Sequence, residues 1–161
     1  MANCGYMTIK SDKQGFMSNG CCTPESLGGK NQTSHADQIM VLAFTHNMAN
    51  LDNARHATHQ PVYITKHVDK STPLLSQALA NRDQIDCMID FYRTSSRGTQ
   101  EKFYTVEIRG GLIRELTQDM PHALLHSDGQ PQEHLAISYR DIIWTHHAGS
   151  TNGYASWIAD Q

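Results

Sequence analysis

The sequence lacks any long hydrophobic run, and this absence limits where the chain can reside. The longest purely apolar stretch runs from Ile39 to Phe44, whereas a helix needs about 18–20 apolar residues to span a bilayer. Residues 1–10 contain no apolar segment of the kind that a secretory signal peptide requires. The sequence therefore predicts a chain that is made in the cytoplasm, has no signal peptide and does not insert into a membrane.

Charge is also sparse, which argues against nucleic acid as a partner. Charged residues make up 18% of the 161 residues, and 13 Lys and Arg oppose 16 Asp and Glu, for a net charge of −3. A nucleic-acid-binding domain usually carries a basic stripe that meets the phosphates, and this sequence has none. Its polar positions are supplied instead by Ser, Thr, Asn, Gln and ten His. We expect these histidines at the surface or at subunit interfaces.

Disulfide pairing, metal binding and nucleophilic catalysis each lack their usual sequence signals. The four cysteines form no C-x-x-C pair, so we expect reduced thiols, with Cys87 acting as a small apolar side chain. No H-E-x-x-H motif, G-x-S-x-G elbow or phosphate loop is present. Four carboxylates at alternating strand positions are predicted to face solvent or another subunit: Asp86, Asp90, Glu107 and Glu115. The sequence thus predicts no enzyme, no catalytic residue, no metal site and no cofactor.

Alternation of apolar and polar residues dominates what is present and predicts an all-β chain. The length fits a single domain over residues 1–161. Such patterning suits a β-barrel or a β-sandwich, in which Gly110-Gly111 separates two strands of a meander. Period-two patterning predicts seven strands: Cys4–Lys10, Gln38–His46, Val62–Val68, Gln84–Thr94, Glu101–Arg109, Leu112–Gln118 and Glu133–His146.

One helix interrupts the predicted strands, at about residues 73–82. Thr72 is a favourable N-cap and Pro73 fits the first helical position. The next residues place an apolar stripe on one side of the helix: Leu74, Leu75, Ala78 and Leu79. We expect this single helix to flank the barrel.

The widest gap between predicted strands is a long extended loop over residues 47–61. It contains no Gly, and its fifteen residues are far too many for a hairpin turn. Loops of this length inside a compact domain are usually functional or disordered. Because Met48 and Leu51 are apolar, we expect the loop to dock on another surface. The alternative is a flexible loop that contacts no partner.

Six segments, in one order along almost the whole chain, carry a resemblance to a known family. They are Tyr6–Lys10, His35–His46, Lys66–Leu75, Phe91–Thr94, Met120–His122 and Ile142–His147. This set resembles the Hcp family, the hemolysin-coregulated tube proteins of bacterial type VI secretion systems. Two departures are visible: Ala36-Asp37 keeps one acid where members often carry two, and residues 148–157 permute a common family order.

The resemblance implies a small β-barrel of two antiparallel sheets with one flanking α-helix. This barrel would assemble as a hexameric ring, with rings stacked head to tail into the inner tube of a contractile machine. A contractile sheath would expel the tube, a spike protein would cap it, and effector proteins would ride in the lumen. The chain would thus be secreted to the extracellular space or a target cell. The family also implies ring stacking by the long loop, through Met48, Asn50, Leu51, Asp52, Asn53, Arg55 and His56.

Cargo recognition is then expected in the ring interior. Apart from Lys30, the turn-rich segment Gly28–Ser34 has neutral and mostly small side chains that could line a channel. Its candidate contact residues are Asn31, Thr33 and Ser34. An ordinary surface loop is the alternative for this segment. For the whole chain, the alternative is a monomeric β-barrel that binds a small ligand or a metal, or that acts as an enzyme.

Overall fold

The computed structural model describes residues 3–52 and 54–157, and it confirms an all-β chain. Two α-helices accompany the strands, the four-residue α1 (Pro24–Leu27) and the longer α2 (Thr72–Asn81). The strands are β1 (Asn3–Ser11), β2 (Gly15–Phe16), β3 (Ile39–Thr45), β4 (Met48–Ala49), β5 (Thr58–His59), β6 (Val62–His67), β7 (Ile85–Thr94), β8 (Gln100–Asp119), β9 (Gln132–Ser138), β10 (Asp141–His146) and β11 (Thr151–Ser156).

Six strands close into an antiparallel barrel, in the order β8-β7-β1-β3-β6-β9 and back to β8. The closure depends on the length of β8, which pairs with β7 along its first half and with β9 along its second. The free side of the first half pairs with β10, and β10 pairs with β11. The predicted barrel is therefore confirmed, and β8 joins its two walls into one hydrogen-bonded sheet.

The prediction that Gly110-Gly111 separates two strands is wrong, because β8 runs through both glycines. Gly110 has a φ of +63°, a conformation that glycine adopts at little cost. A Cβ atom on Gly111 would lie 2.8 Å from the carbonyl oxygen of Ser138 in β9. The pair thus lets β8 bend from one wall of the barrel to the other while β9 approaches closely.

Two further differences from the predicted strands lie in the last thirty residues of the chain. The predicted strand Glu133–His146 is two strands, β9 and β10, which are separated at Tyr139 and Arg140 and pair with different parts of β8. Strand β11 was not predicted, because its small and polar residues give no apolar alternation. Its place at the edge of the sheet lets it remain largely exposed.

The barrel interior is filled by alternating aliphatic side chains. The fully buried residues of this core include Met7 and Ile9 in β1, Ile89 in β7, Ile108 in β8 and Ile137 in β9. Cys87 belongs to the same cluster, as the sequence predicted. Ile39 and Val41 of β3 face the core, but a bulge after Val41 shifts the alternation, which leaves Ala43 exposed and brings Phe44 against the core.

Helix α2 lies one residue from its predicted bounds and confirms the flanking helix. Its N-cap is Ser71 and not Thr72, because the helix begins at Thr72. The Thr72 hydroxyl instead accepts a hydrogen bond from the backbone N–H of Asp69, at 3.1 Å. The buried side chains of Leu75 and Ala78 dock the helix on the barrel, and a left-handed Arg82 ends it, with φ +55°.

A buried lysine links β6, β9 and the turn before α2. The side chain of Lys66 is 0% exposed, and its Nζ lies 3.0 Å from Oδ1 of Asp69. The same Nζ contacts the carboxylate of Glu133 in β9 and donates to the carbonyl oxygen of His67 at 2.9 Å. Asp69 Oδ1 also accepts from the backbone N–H of Ser71, at 2.8 Å. A charge this deep is tolerated only when it is paired.

Candidate functional site

The long loop contains a β-hairpin that forms a small sheet of its own, separate from the barrel sheet. Its two short strands, β4 and β5, pair only with each other, Met48 with His59 and Ala49 with Thr58. The long extended loop predicted at residues 47–61 thus contains a short ladder of two residue pairs. The pairing leaves residues 50–57 as the tip of the hairpin.

The hairpin carries exposed apolar side chains among polar ones. Leu51 is 58% exposed and Met48 is 38% exposed. The other described tip residues named by the sequence are also exposed: Asn50, Asp52, Arg55 and His56. Asn53 lies outside the described residues. An exposed Leu beside an exposed Met is a feature that contact with a partner would bury.

The root of the hairpin is held by one tyrosine hydroxyl shared between two histidines. Tyr139 lies between β9 and β10, and its hydroxyl is 2.7 Å from Nδ1 of His59 and 2.9 Å from Nε2 of His46. The ring of His59 stacks on Trp157, with centroids 5.9 Å apart, and His46 lies 6.5 Å from Trp144. The hairpin root is therefore fixed to the barrel by a compact polar and aromatic cluster.

Burial shifts the proton affinities of this root cluster, which we define as His46, Tyr139 and His59. It lowers the pKa of both imidazoles below the usual value, and the neighbouring His59 lowers that of His46 further. Burial also raises the pKa of the Tyr139 hydroxyl to about 12. The cluster is thus neutral at pH 7, with the hydroxyl proton in place.

The candidate cargo segment lies over the outside of β1. Residues 28–30 and 33–35 form two short 3₁₀ turns, and the ring of His35 stacks on Tyr6 with centroids 3.7 Å apart. Thr33 and Ser34 are exposed and Asn31 is half-buried. The three residues thus occupy one surface segment, separate in sequence and pairing from the hairpin.

A shallow aromatic depression of about 850 Å³ adjoins this segment. Ser34 lines it, whereas Asn31 and Thr33 do not. The apolar part of the lining includes Met40, Leu42, Phe91 and Phe103. The lining contains no Asp, Glu, Lys or Arg side chain.

No catalytic or metal-binding arrangement is found in the described residues. Among them, no group of three His, Cys, Asp or Glu is placed to hold a metal ion. The prediction that Asp90 faces solvent or a subunit is wrong: it is buried and accepts a hydrogen bond from the Thr105 hydroxyl at 2.8 Å. Thr105 also bonds to Nε2 of His147, at 2.7 Å. Because the carboxylate contacts the hydroxyl and not the imidazole, it does not orient a catalytic base.

The four cysteines are all described and all free. Burial raises the pKa of the Cys87 thiol to about 12 and that of Cys21 to about 11. Thiolates are the reactive form of cysteine, so these two thiols have low reactivity. The structure also contains, in the part of the chain that it describes, no helix with the length and hydropathy for a membrane crossing.

Comparison with known proteins decides the family. The model of the family described as "Type VI secretion system effector, Hcp" matches residues 6–146. The chain belongs to the Hcp family. It is 35% identical to the "Major exported protein" of Pseudomonas aeruginosa, over 98% of this chain and 96% of that one. The uncharacterized protein YhhZ of Escherichia coli K12 is 31% identical over 94% of this chain, which spans 37% of that longer relative.

Solved structures of Hcp proteins share the fold. The secreted protein Hcp3 from Pseudomonas aeruginosa superposes with a TM-score of 0.86 and 34% identity, over 98% of this chain and all of that one. A second Hcp crystal structure superposes with a TM-score of 0.90 and 27% identity, over 96% and 99% of the two chains. Hcp proteins are secreted structural proteins of the type VI tube, so the chain is not an enzyme, as the sequence predicted. Membership also implies tube assembly through self-association.

The root cluster could not be predicted from the sequence. His46 and His59 were expected at a surface or interface, but His59 is 8% exposed and Tyr139 is 4% exposed. The thirteen-residue separation of the two histidines gives no sequence signal, because only the hairpin pairing brings them to one hydroxyl. The bulky aromatics Trp144 and Trp157 near the end of the chain were the one available hint of a buried cluster there.

Proposed function

We propose that this chain is the subunit of a type VI inner tube, in which hexameric rings stack head to tail. A contractile sheath surrounds and expels the tube, a spike protein caps it, and effector proteins travel in its lumen. The chain remains in the cytoplasm until firing and then leaves the cell with the tube. The observation that carries this proposal is a barrel of Hcp fold with a separate hairpin that exposes Leu51.

The hairpin is the proposed ring-stacking element. The described residues of its tip pair with no barrel strand. Burying Leu51 and Met48 on a neighbouring ring would contribute at most about 1.5–3 kcal/mol each. Polar neighbours at the tip, Asn50, Asp52, Arg55 and His56, can add hydrogen bonds at the rim of such a contact. Repetition around a ring makes a modest contact per subunit cooperative.

Light scattering on the purified protein tests ring formation. We expect a molar mass near six times the 18.0 kDa of one chain, because the proposed ring is closed by head-to-tail contacts between six identical subunits. Metal analysis after desalting supplies the control for the ligand-binding alternative. A stable monomer at micromolar concentration, with stoichiometric metal retained, would contradict the ring and favour that alternative.

Cargo recognition is proposed at the segment that holds Asn31, Thr33 and Ser34. Ser34 is the best placed of the three, since it is exposed and lines the aromatic depression. We expect Ser34→Arg together with Asn31→Arg to reduce co-purification of an effector at least tenfold, because two added guanidinium groups would obstruct a small, neutral surface. The hexamer and its melting temperature should remain unchanged.

The matched control adds the same two positive charges to another exposed loop, as Ser127→Arg with Gln130→Arg in residues 120–131. This control should co-purify cargo like the unaltered protein. Full retention of cargo by the Asn31 and Ser34 variant would show that recognition lies elsewhere.

A further inference from the structure

The root cluster has a hydrogen-bond arrangement in which the imidazole that accepts from the Tyr139 hydroxyl must be neutral. A tyrosine hydroxyl has one proton to donate, and each neutral imidazole ring has one N–H and one acceptor nitrogen. With both rings neutral, the Tyr139 hydroxyl donates to one histidine and accepts from the other. If the accepting ring gains a proton, both rings become donors toward one oxygen, and the hydroxyl proton loses its acceptor.

The surroundings of the cluster offer no compensation for a positive charge. Among the described residues, no Asp or Glu forms an ion pair with His46 or His59. The titratable groups that bear on His46 are His59 and the Tyr139 hydroxyl, and the backbone carbonyl of Gln60 accepts from it. His59 faces Tyr139 and the neutral indole of Trp157. A cation here would be buried without a counterion, which is costly.

The cluster also sits where it controls the hairpin. His46 follows β3 directly, and His59 lies in β5, opposite Met48 of β4. Both ends of the hairpin are thereby tied to one hydroxyl that belongs to the corner between β9 and β10. In the part of the chain that the structure describes, the two-residue strands β4 and β5 pair only with each other, so backbone pairing does not join the hairpin to the barrel sheet.

We propose that the His46–Tyr139–His59 cluster is an acid-released anchor, which holds the hairpin root on the barrel while both imidazoles are neutral and frees it when either is protonated. The anchor itself is a property of the folded subunit. Its consequence for tubes, which is that mild acid separates stacked rings, rests on the stacking role proposed above.

The direction of the pH dependence follows from the lowered pKa of both imidazoles. A freed histidine titrates near its usual pKa of about 6.5, so the open state binds more protons than the anchored state at lower pH. The anchored state is therefore fully favoured above about pH 6.5 and is lost as pH falls below it. At pH 5.5 each imidazole shifts the opening equilibrium by up to about tenfold.

Hydrogen exchange of the hairpin amides on the full chain tests the anchor. We expect protection over residues 48–59, corrected for the intrinsic exchange rate, to fall about tenfold or more between pH 7.5 and pH 5.5. Amides of β7 should stay protected and serve as the internal control. Unchanged hairpin protection at pH 5.5 would overturn the proposal.

Matched variants identify the groups responsible. His46→Gln places the end of its amide near the position of Nε2, and His59→Asn places its amide near Nδ1. One amide can accept from the Tyr139 hydroxyl through its oxygen while the other donates through its nitrogen, so the double variant can keep both hydrogen bonds but cannot gain a proton in this range. It should keep similar hairpin protection at both pH values. Tyr139→Phe removes the shared hydroxyl and should loosen the hairpin at both. A double variant that retains the full acid effect would overturn the proposal.

Tryptophan fluorescence gives an independent readout, because the chain has two tryptophans and each lies near one of these histidines. We expect a fluorescence transition with a midpoint below pH 6.5 that disappears in the double variant. A midpoint above 6.5 would overturn the proposal, since stacking of a cationic His59 on Trp157 would then stabilise the charged form.

Pelleting of assembled tubes at the same two pH values separates this proposal from the stacking role. Hairpin release at pH 5.5 together with loss of tubes supports both. Hairpin release with intact tubes supports the anchor and contradicts the stacking role. Loss of tubes with the hairpin still protected contradicts the anchor.

Discussion

Replacing residues 50–57 with the two-residue turn Asn-Gly is expected to abolish tube formation while leaving the barrel folded and the ring intact. The cut removes Leu51 and the polar tip but keeps β4 and β5, whose last pair is Ala49 with Thr58. Asn-Gly suits a two-residue hairpin turn between paired strands. It also leaves the root cluster in place, because His46 and His59 lie outside the cut. Electron microscopy of the purified variant measures the result.

A point variant refines this test. Leu51→Asp should weaken stacking by at least tenfold in a pelleting assay, because an aspartate would bring an unpaired charge into the proposed contact. Leu124→Asp is the matched control, since Leu124 is 87% exposed in the loop between β8 and β9. It should leave tubes unchanged. Tubes that still form after the loop replacement would refute the stacking role, and loss of the ring itself would place the hairpin at the interface within a ring.

Lys66→Met is expected to have the largest effect on the stability of the subunit. The substitution removes the only cation that contacts the carboxylates of Asp69 and Glu133 in the described residues, and it leaves two buried acids uncompensated. Breaking a buried ion pair on one side costs about 3–5 kcal/mol. For a chain of this size the melting temperature should fall by roughly 6–20 °C. Urea unfolding monitored by circular dichroism measures the free energy of unfolding.

Lys102→Met makes the same chemical change at an exposed position of β8, and it should shift the free energy of unfolding by no more than about 0.5 kcal/mol. A Lys66→Met variant with the stability of this control would show that the buried carboxylates take up protons at little cost. The triple variant Lys66→Met, Asp69→Asn and Glu133→Gln should recover part of the loss, because it removes the unpaired charges.

Most of the barrel could be predicted because its strands obey a two-residue alternation. The predicted bounds of β1, β3, β6 and β7 differ from the observed ones by at most one residue at either end. The bend of β8 could not be predicted, since Gly110-Gly111 has the composition of a turn and only the close approach of β9 explains it. Strand β11 has no apolar alternation, so its pairing with β10 is a tertiary effect.

The position of the candidate site along the chain could be predicted from the sequence, but the contacts that fix it could not. The length of the gap at residues 47–61 was enough to single out the hairpin, and two apolar residues within it were enough to expect docking. What fixes its root could not be inferred, because Tyr139 is eighty residues from His59 in sequence. In the sequence, Lys66 is only a charged exception on the apolar face of a predicted strand, so its burial could not be inferred. Its partner Glu133 lies on the neighbouring strand, and the sequence alone does not specify that strand pair.

Negative-stain imaging of the purified full chain tests the central claim most directly, because a tube subunit must form a ring with an open channel. We expect end-on views with six-fold symmetry and a central lumen, and side views of stacked rings at higher protein concentration. Images that show only single barrels, or rings whose centre is closed, would contradict the assignment of this chain as a tube-forming subunit.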